Sequence, residues 1–208
     1  MVVWMNVESA KASFESRDPQ LLTFGAVLVL NAFGFLAFAP ILLSFAVVSV
    51  IPFGLSTFML PLAMLCLVTF FLPFAFGNPY VQRLAGKPPH TSLAQCFLVQ
   101  VTCRPRRHSG PRGVLEDADD IGWLGVGAEH LEFKGDSLTL KVPSANIRAL
   151  GFQSIGWRGL FLSHRTVVQV EGMPGVDAFE FTERASWMLL QSRRIGLELH
   201  KVLESLCK

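Results

Sequence analysis

The sequence predicts a membrane α-helical hairpin joined to a mostly β domain, a barrel of about seven antiparallel strands capped by a C-terminal helix. Three observations predict it. Between Asp18 and Arg83 the chain has no Asp, Glu, Lys, Arg or His. From Leu93 onward apolar residues recur with a period of two, punctuated by Gly, Pro and Asp. From Met188 to Leu206 the period lengthens to that of a helix.

Residues 1–20 place Val3, Val7, Ala10 and Phe14 on one helical stripe beside Trp4, with Glu8, Lys11 and Glu15 opposite. That pattern suits a short helix lying at a membrane interface. A membrane-crossing helix needs about 20 apolar residues, and residues 21–80 hold enough for two spans and a turn at Pro52 and Gly54. The first span, Leu21 to Val48, carries a kink signal at Pro40 and small residues that let helices approach. Asn31, Gly34 and Ala37 are its candidate packing residues. The second span runs from Leu55 to Phe76. Two spans return the chain to one side. Arg83, Lys87 and a run of arginines follow them, while the turn between has neither Lys nor Arg, so both termini are expected in the cytoplasm. Residues 81–92, with Gly86-Lys87-Pro88-Pro89, read as a linker.

Residues 93–208 have the size of one compact domain. Gln95 to Cys103 reads as a strand with Phe97, Val99 and Val101 on one face and Cys96 and Leu98 on the other. A basic loop, Arg104 to Gly113, and an acidic patch, Glu116, Asp117, Asp119 and Asp120, follow. The next strands are Ile121 to Val126, Leu131 to Phe133, Leu138 to Val142 (ended by Pro143), Ile147 to Phe152, Gly159 to Leu162, Val167 to Glu171 and Ala178 to Phe181. The final helix lines up Met188, Ile195, Leu199, Val202 and Leu206, with Ser192 as the candidate cap. Glu183 to Leu190 then forms a separate turn or short helix.

The chemistry-bearing residues form few constellations. The net charge is +2, which gives no reason to expect a nucleic acid partner. Cys66, Cys96, Cys103 and Cys207 show neither CxxC nor metal-ligand spacing and read as reduced. The acidic patch lacks the glycine and distal Glu of a calcium loop. His90, His108, His130, His164 and His200 are scattered. No metal, cofactor or catalytic group is expected.

One passage carries a family resemblance: Leu131-Glu132-Phe133, Gly135-Asp136, Leu138-Thr139-Leu140-Lys141-Val142-Pro143 and Asn146-Ile147-Arg148. It resembles the strand–turn–strand–Pro–x–x–x–Ile run of GRAM and bacterial pleckstrin-homology-like (PH-like) domains, over roughly Leu93 to Leu206. Bacterial membrane proteins of this layout join such a domain to a pair of helices, which implies the bacterial inner membrane. The resemblance implies binding of lipid headgroups or of protein, not catalysis. It assigns a headgroup role to the loop after the first strand, here Arg104, Arg106, Arg107 and Arg112. The strand cations of the family's headgroup pattern are absent, with Val99 and Val101 in their place. The expected function is therefore a non-enzymatic module at the membrane surface, with anionic lipid, a membrane-protein partner or a second copy of the chain as its ligand. The alternative is an accessory subunit of a larger membrane complex such as a transporter, with the hairpin as the functional interface.

Overall fold

Strand formation in this chain follows its alternating apolar residues, and the computed structural model describes them in residues 12–18, 21–23, 25–30, 77–88, 95–105, 118–153, 164–173 and 175–207. The strands are β1 (Ser13–Ser16), β2 (Gln95–Arg104), β3 (Asp120–Val126), β4 (His130–Gly135), β5 (Leu138–Pro143), β6 (Ile147–Gln153), β7 (Arg165–Val170) and β8 (Ala178–Glu183). Helix α1 (Asn78–Ala85) precedes β2, and α2 (Leu189–Leu206) follows β8. All eight strands pair antiparallel in one curled sheet of order β1-β5-β4-β3-β2-β8-β7-β6. β2 sits near the middle, between its successor β3 and the last strand β8.

The inner face of the curl holds the main core. Phe97, Val99, Val101 and Cys103 of β2 meet Leu124, Phe133, Leu140, Phe179 and Phe181, and α2 closes over them with Leu199 and Leu203. Period two sends Leu98 of β2 to the outer face. There it joins a second cluster with Ile121, Val81 of α1, and Leu22, Val27 and Leu30 from the N-terminal segment.

These packings correct the expected fold class. Among the described residues no helix is long and apolar enough to cross a membrane. Leu22, Val27 and Leu30, read from sequence as part of a transmembrane span, and Val81 of α1 pack against Leu98 and Ile121 of the sheet, while Leu21, Leu28 and Val29 are exposed. The seven-stranded barrel is an open, eight-stranded curled sheet. The integral-membrane location inferred from the hairpin is withdrawn with it. Asn31, Gly34 and Ala37, and the rest of residues 31–76, lie outside the described residues.

One of the eight strands, β1, comes from the segment read as an interfacial helix, whereas the expected strand Gly159 to Leu162 lies outside the described residues. β1 pairs with β5, Phe14 opposite Leu140, because Phe14 reaches the core with its ring 6.1 Å from that of Phe179. The backbone amides of Arg17 and Leu21 then donate to Ser137 O (2.7 Å) and Asp136 Oδ2 (2.6 Å), tying the N-terminal segment to the β4–β5 turn. Leu30 and Gly77 come together on the outer face: a Cβ on Gly77 would lie 3.3 Å from Leu30 Cδ2.

The β4–β5 turn is built on Asp120. Its Oδ2 accepts from the amides of Ser137 (2.8 Å) and Leu138 (2.7 Å), and its Oδ1 from its neighbour Ile121. Burial raises its pKa against the opposing pull of those amides. Two glycines make room. Gly122 and Gly135 are register partners; a Cβ on the first would sit 2.2 Å from Lys134 O, and on the second 2.1 Å from Asp120 Oδ2. Gly122→Ala is therefore expected to destabilise the fold by about 3 kcal/mol, since backbone has to move to admit the methyl group. Urea unfolding checks it, and a loss below about 1 kcal/mol would contradict the close approach.

Candidate functional site

On β2, β8 and β7 the period-two rule places Gln100, Thr102 and Arg104 beside Thr182, Glu180 and Ala178, and these beside Arg165, Val167 and Gln169. Such a polar row reads from sequence as a solvent-facing surface. Here much of it is buried: Gln100, Thr102, Arg165, Glu180 and Thr182 are all under 7% exposed. Buried polar groups need partners; Arg165 and Glu180 belong to one network and Gln100 to another, while the Thr182 hydroxyl has no hydrogen-bond partner among the described residues.

The first centres on Glu180. Its Oε2 accepts from Arg165 Nη1 at 2.5 Å and its Oε1 from Arg104 Nε. Arg104 reaches on across the sheet, donating from Nη2 to Gln153 Oε1 of β6 at 3.1 Å. Two guanidiniums on one buried carboxylate fix Arg104 as one wall of an open groove of about 560 Å³ on the outer face. Val167, Met173, Val176 and Ala178 give it an apolar lining, and Arg148, Glu171 and Asp177 complete its charged rim. The far wall is the β7–β8 turn, where Gly172 and Gly175 take φ values of +73° and +77°. Asn146 braces that turn by donating from Nδ2 to Glu171 O at 2.9 Å, and Arg148 pairs with Glu171. The amide of Asp177 donates to Arg104 O at 2.7 Å, so the turn and the end of β2 are held together.

The second network lies at the end of β8. Arg184, 2% exposed, donates from Nε to Gln100 Oε1 at 2.7 Å and from Nη1 to Asn78 Oδ1 at 3.0 Å. Asn78 in turn donates to Ser186 O at 2.5 Å, and Gln82 to Ala185 O at 2.5 Å, so α1 is stitched to the β8–α2 connection. The preceding residue, Glu183, points to the inner face and accepts from the Ser192 hydroxyl and the Ala185 amide.

Of the basic residues singled out in the sequence, Arg104 lies on the groove with half its side chain exposed, and it shares the Glu180 carboxylate with Arg165. Arg106, Arg107 and Arg112 lie outside the described residues, as do Glu116 and Asp117. Asp119 and Asp120 serve the backbone: Asp119 Oδ2 accepts from the Cys103 amide at 2.6 Å. Among the described residues no three His, Cys, Asp or Glu side chains are grouped to hold a metal ion. Sequence reasoning missed Glu180, Glu183, Arg165, Arg184 and Gln100. Their one signal is the alternation Phe179-Glu180-Phe181-Thr182-Glu183-Arg184, which does not say that the polar side is covered.

No family model matches the chain, and neither a curated protein nor a solved structure matches it.

Removing Arg184 strands both Gln100 and Asn78. Arg184→Met is expected to lower stability by about 3 kcal/mol. Arg184→Lys is expected to recover little of it, because a single ammonium does not span both amides as the guanidinium fork does. Urea unfolding of the two variants tests this, and full recovery with Lys would contradict the bridging role.

Proposed function

We propose that this chain is a non-catalytic binding module that holds a segment of a protein partner in the outer-face groove between Arg104 and the β7–β8 turn. The carrying observation is the groove's make-up. Polar and apolar side chains share its lining, its rim bears both signs of charge, and its volume of about 560 Å³ is within the range of ligand-binding clefts. A phosphate headgroup favours an excess of cations, whereas here Arg104, Arg148 and Arg165 are balanced in number by Glu180, Glu171 and Asp177. A polypeptide brings apolar side chains together with both charges, which suits such a rim.

The test is selection of a random displayed peptide library on the whole chain, followed by titration of the enriched peptides. Enriched sequences are expected to bind with micromolar Kd. Gln169→Trp, which fills the groove from an exposed position, and Arg148→Glu, which reverses a rim charge, are each expected to weaken binding at least about tenfold. Enrichment that survives both substitutions, or salt-sensitive flotation with anionic vesicles and no peptide binding, would overturn the proposal.

A further inference from the structure

We propose that Glu183 is a pH-sensitive latch, holding the first turn of α2 against the sheet at mildly acid pH and letting it loosen above neutrality. The geometry comes first. Glu183 ends β8 on the inner face, is 1% exposed, and its two carboxylate oxygens accept from the Ala185 amide and the Ser192 hydroxyl. Ser192 is itself fully buried and lies in the first turn of α2, not at its cap; the helix begins at Leu189, and Met188 gives it no side-chain cap. The contact from Glu183 to Ser192 thus stands where a cap would otherwise fasten the helix start. The connection into α2 is tied to the same point, with the amide of Met188 donating to Ser186 Oγ at 3.2 Å and Ser186 donating to Gln191 at 3.0 Å.

The groups around the carboxylate are neutral on nearly every side. β2 presents Val99 as its register partner, α2 presents Ser192, and the connection presents backbone amides. On the other side the β7–β8 register, continued one residue past Arg165 and Thr182, brings the His164 imidazole opposite Glu183. The nearby charge that favours ionisation is Arg184, but alternation along the strand turns its guanidinium to the opposite face, toward Gln100 and Asn78. On α2 the nearest cation in sequence is Arg193, about 100° round the helix from Ser192. Burial therefore outweighs the hydrogen bonds, and the Glu183 pKa is pushed up from 4.5 to about 7. A raised carboxyl pKa means that the docked state keeps its proton where the released state has lost it. Docking is then strongest below the ordinary value and weakens as pH rises through about 7. If release restores the ordinary value, the docking equilibrium falls by up to about 300-fold across that window.

Release of the first turn uncovers Leu189, now 1% exposed, next to Trp187, Met188 and Leu190, which are already 54%, 38% and 61% exposed. The device thus converts a rise in pH into a continuous apolar segment at the start of α2. This inference does not rest on the groove or on what binds there.

The experiment is amide hydrogen exchange of the whole chain at about pH 6 and about pH 8, corrected for intrinsic exchange and read on peptides covering residues 187–196. The wild-type segment is expected to lose up to about tenfold in protection at the higher pH, while β3 and β4 keep theirs. Glu183→Gln, which keeps the shape and the acceptor, is expected to abolish the difference. Ser192→Ala removes a donor that lowers the pKa, so it is expected to move the transition to higher pH; it serves as the second test where Glu183→Gln folds poorly. Equal protection of the wild type at both pH values, or an unchanged transition in Ser192→Ala, would overturn the proposal.

Discussion

Two adjacent buried ionisable residues end β8, and the alternation of strand side chains sends them to opposite faces of the sheet. Glu183 fastens α2 on the inside through Ser192, and Arg184 fastens α1 on the outside through Asn78 and Gln100. Each is shielded from water, so neither tolerates the loss of its partners cheaply. Here strand geometry separates them, and each is engaged with neutral hydrogen-bonding groups on a different helix. The placement of both helices relative to the sheet depends on that separation.

The outer face shows why this matters for binding. A curled sheet with one wet face offers a convex surface, a poor shape for a ligand. Leu22, Val27, Leu30 and α1 cover one part of it, and elsewhere the Arg104 side chain and the β7–β8 turn wall the groove. The groove lies among polar residues that are already buried and braced. Its walls are consequently fixed by internal hydrogen bonds, which spares a ligand the entropy of ordering them.

Much of the sheet was legible in the sequence. The ends of β2, β4 and β5 and the inward set Phe97, Val99 and Val101 follow from period two and from the punctuation at Gly135-Asp136 and Pro143. β1 was not legible. Its four residues, Ser-Phe-Glu-Ser, carry one apolar side chain and earn a place in the sheet only through partners more than a hundred positions away. The apolar surfaces of residues 21–30 and α1 misled for a related reason: an absence of charge fits a protein-covered face as well as a lipid-covered one, and composition does not separate them. The site suffered most. A Glu or Arg on the second face of a strand looks solvent-exposed until something is known to lie over it, so Glu180, Arg165 and Arg184 gave no local sign of burial. Arg104 drew notice only for standing at the head of a basic run.

The contact between Leu30 and Gly77 has a consequence for the chain as a polymer. Two residues far apart in sequence meet there at one point on the domain, so the contact closes a loop of the chain. For a flexible chain the entropic cost of such a closure grows slowly, each doubling in length adding about 0.6 kcal/mol. The spacing from β1 to Leu22 is held more tightly, because a shift of a few residues there would pull Phe14 out of the core.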